Sequence, residues 1–213
     1  MLVGMATDVS HPLFARFVAL IAASEGPVEV DRRRETLAGL SGRVIEIGSG
    51  SGPNFRHYPD AVTELIAVEP EPNLRDRAIE AARESGRPVR VVDAVADRLP
   101  FADGSFDAAV TVLVLCSVPS QAAALGELHR VLRPSGELRF YEHVIGTSRR
   151  LATLQRTLAP GLEKAFGGCR ADRDTTRAIE EAGFRIERNR RFLIRTVPEV
   201  PVAPRILGSA RRV

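Results

Sequence analysis

Two apolar patterns alternate along the chain: short apolar runs without polar interruption, and longer stretches in which apolar residues recur at helical spacing. The short runs are rich in β-branched residues, which is typical of buried parallel strands. They predict strands over 44–47, 64–69, 89–92, 108–113 and 137–141. Strands that alternate with helices in this way predict an α/β fold with a parallel sheet.

Helical spacing predicts helices over 11–24, 31–40, 70–85, 120–132, 151–166 and 175–181. Gly26 and Pro27 are expected to end the first of these helices, and Pro160 with Gly161 is expected to break the one over 151–166. Beyond the last helix, strands over 184–191 and 203–210 are expected to pair antiparallel and to close the sheet.

A glycine-rich segment follows the first predicted strand and contains Gly48, Gly50 and Gly52. Because glycine has no Cβ, this segment can turn tightly and bring its backbone within contact distance of a ligand. Pro53 suits the first position of a helix, where its fixed φ is favourable and its missing N–H has no cost. A strand, a glycine turn and a helix start are typical of a nucleotide-type cofactor site, in which helix N–H groups face ligand anions.

The spacing of the glycines distinguishes between cofactors. Dinucleotide-binding folds need G-x-G-x-x-G, but the third glycine position falls on Pro53 when counted from Gly48 and on Phe55 when counted from Gly50. The segment instead reads E-x-G-x-G-x-G from Glu46, which resembles the first motif of class I S-adenosylmethionine (SAM) methyltransferases. In that family, the acid before the loop faces the ammonium group of the methionine part. A dehydrogenase is therefore the weaker interpretation.

A second acid, Glu69, ends the second predicted strand. It lies about 20 residues beyond the glycines, which is the distance at which a carboxylate can receive both ribose hydroxyls. A charged residue at the carboxyl end of a buried strand has few structural roles, so ribose binding is the favoured interpretation.

The segment 99–107 resembles a linker that is frequent in SAM methyltransferases ahead of the fourth strand. When the chain is aligned on this linker, Val95 occupies the position of an Asp that bonds the adenine amino group in that family. Asp93 and Asp97 lie two residues to either side and are the alternatives. The backbone of Ala96 is a further candidate for the adenine contact.

Further segments narrow the resemblance to the alkyl thiol methyltransferase group and its bacterial relatives. These segments are 113–118, 130–134, 142–144, 168–169, 173, 178–184 and 204–208. The resemblance runs from about residue 39 to residue 210, which is nearly the whole chain.

The resemblance implies a Rossmann-like class I methyltransferase fold: an α/β structure with a seven-stranded, mostly parallel sheet, an antiparallel last strand and helices on both faces. It implies one domain over 1–213, with a SAM-binding core over 41–213 and N-terminal helices within 1–40 that form a lid over the cofactor. Simple packing of these helices against the core is the alternative. Animal members of the group carry an N-terminal membrane anchor; the short apolar helix here predicts no stable membrane anchoring.

The resemblance also implies a set of site residues. Those expected to bind SAM are Glu46, Gly48, Ser49, Gly50, Gly52, Asn54, Glu69, Pro70, Val95, Ala96, Asp97 and Leu113. Glu142 and His143 follow the fifth predicted strand, and in open α/β sheets ligands bind outside the carboxyl ends of the strands. His143 is the candidate catalytic base and Glu142 the group that orients it, with a structural histidine as the alternative.

Composition excludes several classes of function. The net charge is +3, and basic and acidic residues are interspersed, so the charge does not indicate nucleic-acid binding. The chain has no Trp and few aromatic residues, so a base-stacking surface is not expected. No apolar run reaches the roughly 18 residues of a membrane span, and no signal peptide is predicted. The expected location is the cytoplasm, and the expected partner is a small-molecule acceptor.

The chain has two cysteines, Cys116 and Cys169. Two cysteines do not make a zinc site, an iron–sulfur cluster or a disulfide framework, so no metal is expected and reduced thiols are favoured. Cys116 follows a buried strand and is interpreted as a small core residue. Cys169 is expected to be structural, with a place in the wall of the acceptor pocket as the alternative.

These observations predict a SAM-dependent methyltransferase that acts on a small apolar acceptor, with a thiol as the first choice. C- or O-methylation of a quinone, phenol or lipid head group is the alternative reaction. A SAM-binding protein without turnover is the alternative class.

Overall fold

The computed structural model describes residues 26–165, 168–193 and 204–213. The predicted helix over 11–24, which forms much of the predicted lid, lies outside the described residues. The second N-terminal helix is described, and it packs against the sheet.

The described residues form a single sheet of seven strands, in the order β3-β2-β1-β4-β5-β7-β6. The strands are β1 (Gly42–Ile47), β2 (Val62–Val68), β3 (Val89–Val92), β4 (Phe106–Val112), β5 (Leu132–His143), β6 (Phe184–Leu193) and β7 (Pro204–Arg212). The strands from β1 to β5 pair in parallel, whereas β7 is antiparallel to both β5 and β6. The mostly parallel sheet with an antiparallel last strand is confirmed.

The helices are α1 (Pro27–Leu37), α2 (Pro72–Ser85), α3 (Gln121–Val131), α4 (Arg149–Ala165) and α5 (Thr175–Glu181), with a three-residue 3-10 helix over Phe55–His57. Buried apolar side chains form two cores, one on each face of the sheet. Val44 belongs to one core and Ile45 to the other, because successive side chains of a strand point to opposite faces. Residues of α3 and α5 complete the first core, and residues of α1 and α2 the second, which confirms helices on both faces.

The helix predicted to begin at Pro53 is not formed. The glycine segment is followed by the 3-10 helix over Phe55–His57, and no α-helix begins at Pro53 in this described part of the chain. Asn54 and Phe55 are buried here, and their side-chain contacts fix a compact turn instead of a helix. The prediction of an α-helix start at this turn is therefore wrong.

Gly26 and Pro27 begin α1, with Gly26 as the N-cap and Pro27 in the first turn, a position that proline favours. The helix that they are predicted to end lies outside the described residues. A second proline signal acts differently from its prediction. Pro160 lies inside α4, which continues to Ala165. Proline leaves one carbonyl of the preceding turn without its helical partner, and both Pro160 and Arg156 lie on the exposed face of α4, where water can replace that bond.

Strand β5 begins at Leu132, before its predicted start at residue 137. Its first pair joins Leu132 to Phe106, and the next joins Glu137 to Ala108, so the segment between them bulges out of register. Ser135 has a φ of 60° in this segment. The segment between the predicted helix over 120–132 and the predicted strand from residue 137 is therefore an irregular part of a longer strand.

The described helices include none that combines the length and the apolar content needed to cross a membrane.

Candidate active site

The three glycines after β1 have different surroundings, although all have positive φ. A Cβ added at Gly48 would lie 2.3 Å from Val114 Cγ2, and one at Gly52 would lie 2.6 Å from the ring of Phe55. A Cβ added at Gly50 would meet nothing within 4 Å. Gly48 and Gly52 are thus required by packing, whereas Gly50 borders open space in which a ligand can approach the backbone.

The hydroxyl of Ser49 is buried and has no hydrogen-bond partner. A buried polar group without a partner is costly, and this one lies between Gly48 and the open space beside Gly50. A polar cofactor can accept the unpaired hydrogen bond of the Ser49 hydroxyl and lie against the open backbone at Gly50.

Glu69 follows β2, beside the glycine turn. Its carboxylate accepts the N–H of Gly50 at 2.8 Å and the N–H of Glu71 at 3.0 Å. Burial raises the pKa of this carboxyl above its ordinary value. Each carboxylate oxygen retains a lone pair, so the predicted acceptor of ribose hydroxyls is held in place by backbone groups.

Glu46 is buried at the centre of a polar chain that begins on α1. Its Oε1 accepts from Asn54 Nδ2 at 2.7 Å and its Oε2 accepts from the hydroxyl of Tyr58 at 2.8 Å. Asn54 Oδ1 accepts in turn from Arg33 Nη1 at 2.9 Å. Burial raises the pKa of Glu46 to about 7. The amide of Asn54, predicted to bind the cofactor, is committed to Arg33 and Glu46.

Arg33 and Tyr58 are site residues that sequence reasoning did not find. Neither belongs to the E-x-G-x-G-x-G pattern, and Arg33 lies on a helix that precedes the sheet. The burial of Glu46 was the available signal, because a buried carboxylate requires hydrogen-bond donors.

The candidate adenine-binding residues lie in a tight turn between β3 and β4, in which the N–H of Arg98 donates to the carbonyl of Val95 at 3.1 Å. Ala96 is half-buried and packs beside the core, and Asp97 is exposed. Of the two alternative acids, Asp93 forms an ion pair with Arg75 at 3.1 Å. Asp97 does not take part in this ion pair.

Arg75 also donates to the carbonyl of Pro70 at 2.8 Å. With its ion pair to Asp93, Arg75 ties the chain after β2 to the chain after β3. The predicted cofactor residue Pro70 therefore contributes its carbonyl to this framework.

Leu113 directly follows β4 and has a φ of 58°. A left-handed conformation is strained for a leucine, and such strain concentrates at functional sites. Its N–H donates to the carbonyl of Tyr141 at 2.7 Å, and the chain then leaves the sheet as a turn over 114–118. The strained backbone places this turn beside Gly48, whose added Cβ would meet Val114.

Glu142 holds the turn over 114–118. Its buried carboxylate accepts the N–H groups of Val114, Leu115 and Cys116 at 3.2, 3.1 and 3.4 Å. Burial raises the pKa of Glu142 well above its ordinary value. The prediction that Glu142 orients His143 is wrong, because neighbouring residues of a strand project to opposite faces.

His143 instead faces both cysteines. Its Nδ1 lies 3.6 Å from Cys116 Sγ and 3.6 Å from Cys169 Sγ, and the two sulfurs are 3.6 Å apart. We call Cys116, His143 and Cys169 the Cys–His cluster. The hydrogen bond between Cys116 and Cys169, together with burial, raises the pKa of the Cys116 thiol to about 12. The same hydrogen bond lowers the pKa of Cys169.

The segment over 168–173 brings Cys169 into the Cys–His cluster. The N–H of Arg170 donates to the carbonyl of Cys116 at 2.7 Å. Arg173 Nη1 donates to the carbonyls of Leu115 and Val118 at 2.8 and 2.7 Å. Sequence reasoning counted the two cysteines alone, whereas the fold adds a histidine to them, and the three side chains offer atoms that could hold a metal ion.

A family model described as "Methyltransferase domain" matches residues 45–140. Human thiol S-methyltransferase TMT1A is 36% identical to this chain over 156 residues, which cover 70% of this chain and 64% of the human protein. The match therefore spans less than two thirds of that relative. Rat thiol S-methyltransferase TMT1B is 32% identical over an alignment of 221 residues, gaps included, which covers 98% of this chain and 90% of the rat protein.

Solved structures agree with this fold. A Bacillus halodurans protein described as a candidate methyltransferase has a TM-score of 0.73 and 17% identity, and the match covers 87% of this chain and 99% of the other. A geranyl diphosphate methyltransferase in complex with SAM has a TM-score of 0.68 and 15% identity, with 94% and 90% covered. The chain belongs to the class I SAM-dependent methyltransferases. SAM is its methyl donor.

Alanine at Gly48 and alanine at Gly50 are expected to have different effects. The φ values are 62° and 58°, so the backbone strain of about 1–2 kcal/mol is common to both variants. Only Gly48→Ala adds a Cβ contact of 2.3 Å with Val114, so it should melt at a clearly lower temperature. Gly50→Ala should retain more stability and bind SAM more weakly. Melting curves and calorimetric titration with SAM check both variants; equal loss of stability, or unchanged SAM affinity in Gly50→Ala, would contradict this division.

Proposed function

We propose that this methyltransferase transfers the methyl group of SAM to small apolar thiols. The observation that carries the proposal is the position of His143 at the carboxyl end of β5, on the sheet edge where Glu46 lies one residue before the end of β1 and Glu69 follows β2. Two relatives named thiol S-methyltransferase, at 36% and 32% identity, support the choice of acceptor. The turn over 114–118 connects the two halves of the site, because it contacts Gly48 on one side and contains Cys116 on the other.

The cofactor half of the site binds the two polar ends of SAM. The Glu46 carboxylate faces the ammonium of the methionine part, and its hydrogen bonds from Asn54 and Tyr58 fix its orientation. The Glu69 carboxylate receives the ribose hydroxyls while its bonds to Gly50 and Glu71 hold it still. The turn over 95–98 borders the adenine.

The bound cofactor supplies a methyl group already activated on a sulfonium. The protein therefore has to align donor and acceptor and to exclude water. The acceptor sulfur forms a bond to the methyl carbon, the sulfonium C–S bond breaks, and its electron pair remains on the sulfur of S-adenosylhomocysteine. A thiolate and a sulfonium neutralise each other, and a desolvated pocket favours this change.

The acceptor must lose its proton before it attacks. A thiol with a pKa of about 8.5 is only partly ionised near neutral pH. The imidazole of His143 takes this proton, as a general base within the acceptor half of the site.

Product analysis tests the proposal. The protein is incubated with methyl-labelled SAM and a panel of alkyl thiols, phenols and quinones, and the methylated products are identified by mass spectrometry. Labelled thioethers from the thiols are expected. Label confined to the oxygen or carbon of phenols or quinones would replace the thiol assignment with C- or O-methylation, and SAM binding without any labelled product would indicate a binding protein.

A further inference from the structure

The Cys–His cluster joins ligand types that rarely meet by accident in a chain with two cysteines and four histidines. Each side chain offers one ligand atom, and the three atoms lie within 4.8 Å of one another. Thiolate sulfur and imidazole nitrogen are the ligands preferred by Zn²⁺ and related soft or borderline cations.

The distances within the cluster match a tetrahedral zinc site. With Zn–S near 2.3 Å and Zn–N near 2.0–2.1 Å, two ligands of a tetrahedron are about 3.8 Å apart for S and S and about 3.6 Å apart for S and N. The corresponding distances here are 3.6 Å between the sulfurs and 3.6 Å from each sulfur to His143 Nδ1. A cation can therefore enter the cluster with little movement of its ligands.

We propose that Cys116, His143 and Cys169 bind a Zn²⁺-class cation, and that the acceptor thiol occupies its fourth coordination position. The identity of this fourth ligand rests on the proposed thiol methylation, whereas the three protein ligands do not. A zinc ion with three protein ligands and one open position is the arrangement found in catalytic sites. Among the described residues, the group contains these three side chains and no further Asp, Glu, Cys or His.

Outer contacts hold the two cysteines of the cluster in place. Cys116 lies in the turn whose N–H groups bond Glu142. The N–H of Arg170 anchors the neighbouring segment to the carbonyl of Cys116, and Cys169 is half-buried on that segment. Such outer contacts orient metal ligands and raise affinity. Cys116 is buried while His143 and Cys169 are half-buried, so the cluster has an accessible side.

With the cation bound, His143 acts as a ligand in place of its role as general base, and the cation ionises the acceptor directly, because a thiol that coordinates zinc is deprotonated. Cys116 and Cys169 release their thiol protons to solvent when they bind the cation. The acceptor sulfur then binds the cation, and its proton also passes to solvent. That sulfur then forms the bond to the methyl carbon of SAM, the sulfonium C–S bond breaks, and the electron pair stays on S-adenosylhomocysteine. The thioether product is neutral and a weaker ligand, so the next thiol replaces it. No electrons are exchanged with the metal.

Cation binding is measured on the full chain, purified under reducing conditions without a metal-affinity step and stripped with a chelator. Titration with Zn²⁺ against a chromophoric chelator should give one equivalent bound, and Co²⁺ should give the visible absorption of a tetrahedral thiolate site. Cys116→Ser, Cys169→Ser and His143→Ala should each weaken Zn²⁺ binding by at least about tenfold. His129→Ala is the matched control, since it removes a histidine that packs on Phe184 outside the cluster and keeps all three ligands. Undiminished binding in the three ligand variants, or none in the wild type, overturns the site.

Activity separates this inference from the proposed function. Removal of the cation from the wild type should abolish most thiol methylation, and one equivalent of Zn²⁺ should restore it; this comparison needs no substitution and so is independent of folding. Full thiol methylation by the cation-free protein overturns the cation role and leaves thiol methylation established. One bound Zn²⁺ with no thiol methylation under any condition overturns the fourth-ligand assignment together with the proposed function. Loss of two hydrogens from the Cys116–Cys169 pair in place of cation binding would show a disulfide and overturn the cation site.

Discussion

Replacing His143 by alanine should lower thiol methylation by roughly 10²-fold, which is a typical contribution of a general base, while SAM affinity stays almost unchanged. The reason is its position: His143 ends β5 on the acceptor side and has no contact with Glu46 or Glu69, the groups expected to hold SAM. The loss should shrink as pH rises past the pKa of the acceptor thiol, because solvent then supplies the thiolate. It should shrink equally for acceptors that are more acidic. Turnover against pH for two thiols of different acidity is the measurement.

His129 offers a control for this experiment. Its ring packs edge-on against Phe184 at 5.4 Å between centroids, and burial lowers its pKa, which are features of a structural histidine. His129→Ala should melt earlier and lose activity, if at all, independently of pH and acceptor acidity. If His143→Ala behaves in this second way, its role is structural, and positioning and desolvation are the only catalysis.

The His143 experiment measures thiol ionisation whichever way the imidazole assists it. An imidazole that takes the proton and one that holds a cation give the same dependence on pH and acidity. The two cysteine variants distinguish these cases, since only cation binding requires Cys116 and Cys169 together with His143. A base acting alone predicts large loss for His143→Ala and small loss for Cys169→Ser.

The sheet could be predicted from sequence because its strands carry their own signal. Apolar runs such as the one that ends at Ile47 have no polar face for solvent, so they indicate strands that are buried on both faces. The alternate spacing of the three glycines after Ile47 was also informative. It lets Gly48 and Gly52 pack closely against neighbouring side chains, while Gly50 faces open space in which a ligand can approach.

Local signals misled where burial overrode them. Pro53 favours a helix start by its φ, yet burial of Asn54 and Phe55 in contacts with other segments fixes a 3-10 turn there. Pro160 disfavours a helix, yet its lost hydrogen bond falls on an exposed face and has little cost. In both cases the deciding quantity is the surrounding packing, which a single-residue preference does not contain.

The acceptor side could not be assembled from sequence because its members come from three distant segments. Cys116 follows β4, His143 ends β5, and Cys169 lies between α4 and α5. No spacing rule links them, and the adjacency of Glu142 and His143 in the chain suggested a contact that the strand geometry forbids. The cofactor side was more predictable, since the motif residues from Glu46 to Gly52 are contiguous.

The affinity for SAM should fall as pH decreases from about 7.5 to about 5, by up to about 100-fold, because of Glu46. Burial raises the pKa of this carboxyl to about 7 in the cofactor-free protein. An ammonium placed against it favours the carboxylate, so below pH 7 binding must expel a proton, at a cost of up to tenfold in affinity per pH unit. Above pH 7 the carboxylate is already formed and the dependence levels off. It should reverse only when the amino group of SAM itself loses its proton, near the ordinary α-amino pKa of about 7.7–8.0.

Calorimetric titration with SAM across this range, for the wild type and for Glu46→Gln, checks the assignment. Gln keeps the size of the side chain and an acceptor for Asn54 Nδ2 but does not titrate, so the variant should bind weakly and with a much flatter pH profile. Glu69, which burial also shifts upward, and Arg33 are the other charged groups that act on Glu46; any slope that remains in Glu46→Gln is assigned to Glu69. Equal slopes in the two proteins would remove Glu46 from the ammonium site.

The stability of the cofactor-free protein should show the opposite trend. Between the ordinary pKa of 4.5 and about 7 the folded state keeps a proton on Glu46 that the unfolded state has released, so the contribution of Glu46 to the free energy of unfolding falls as pH rises through this window and is constant above it. Burial also raises the pKa values of Glu69 and Glu142, and these two groups add falls of their own. Glu46→Gln should therefore make the total fall smaller without removing it, which urea titrations of both proteins at a series of pH values would detect.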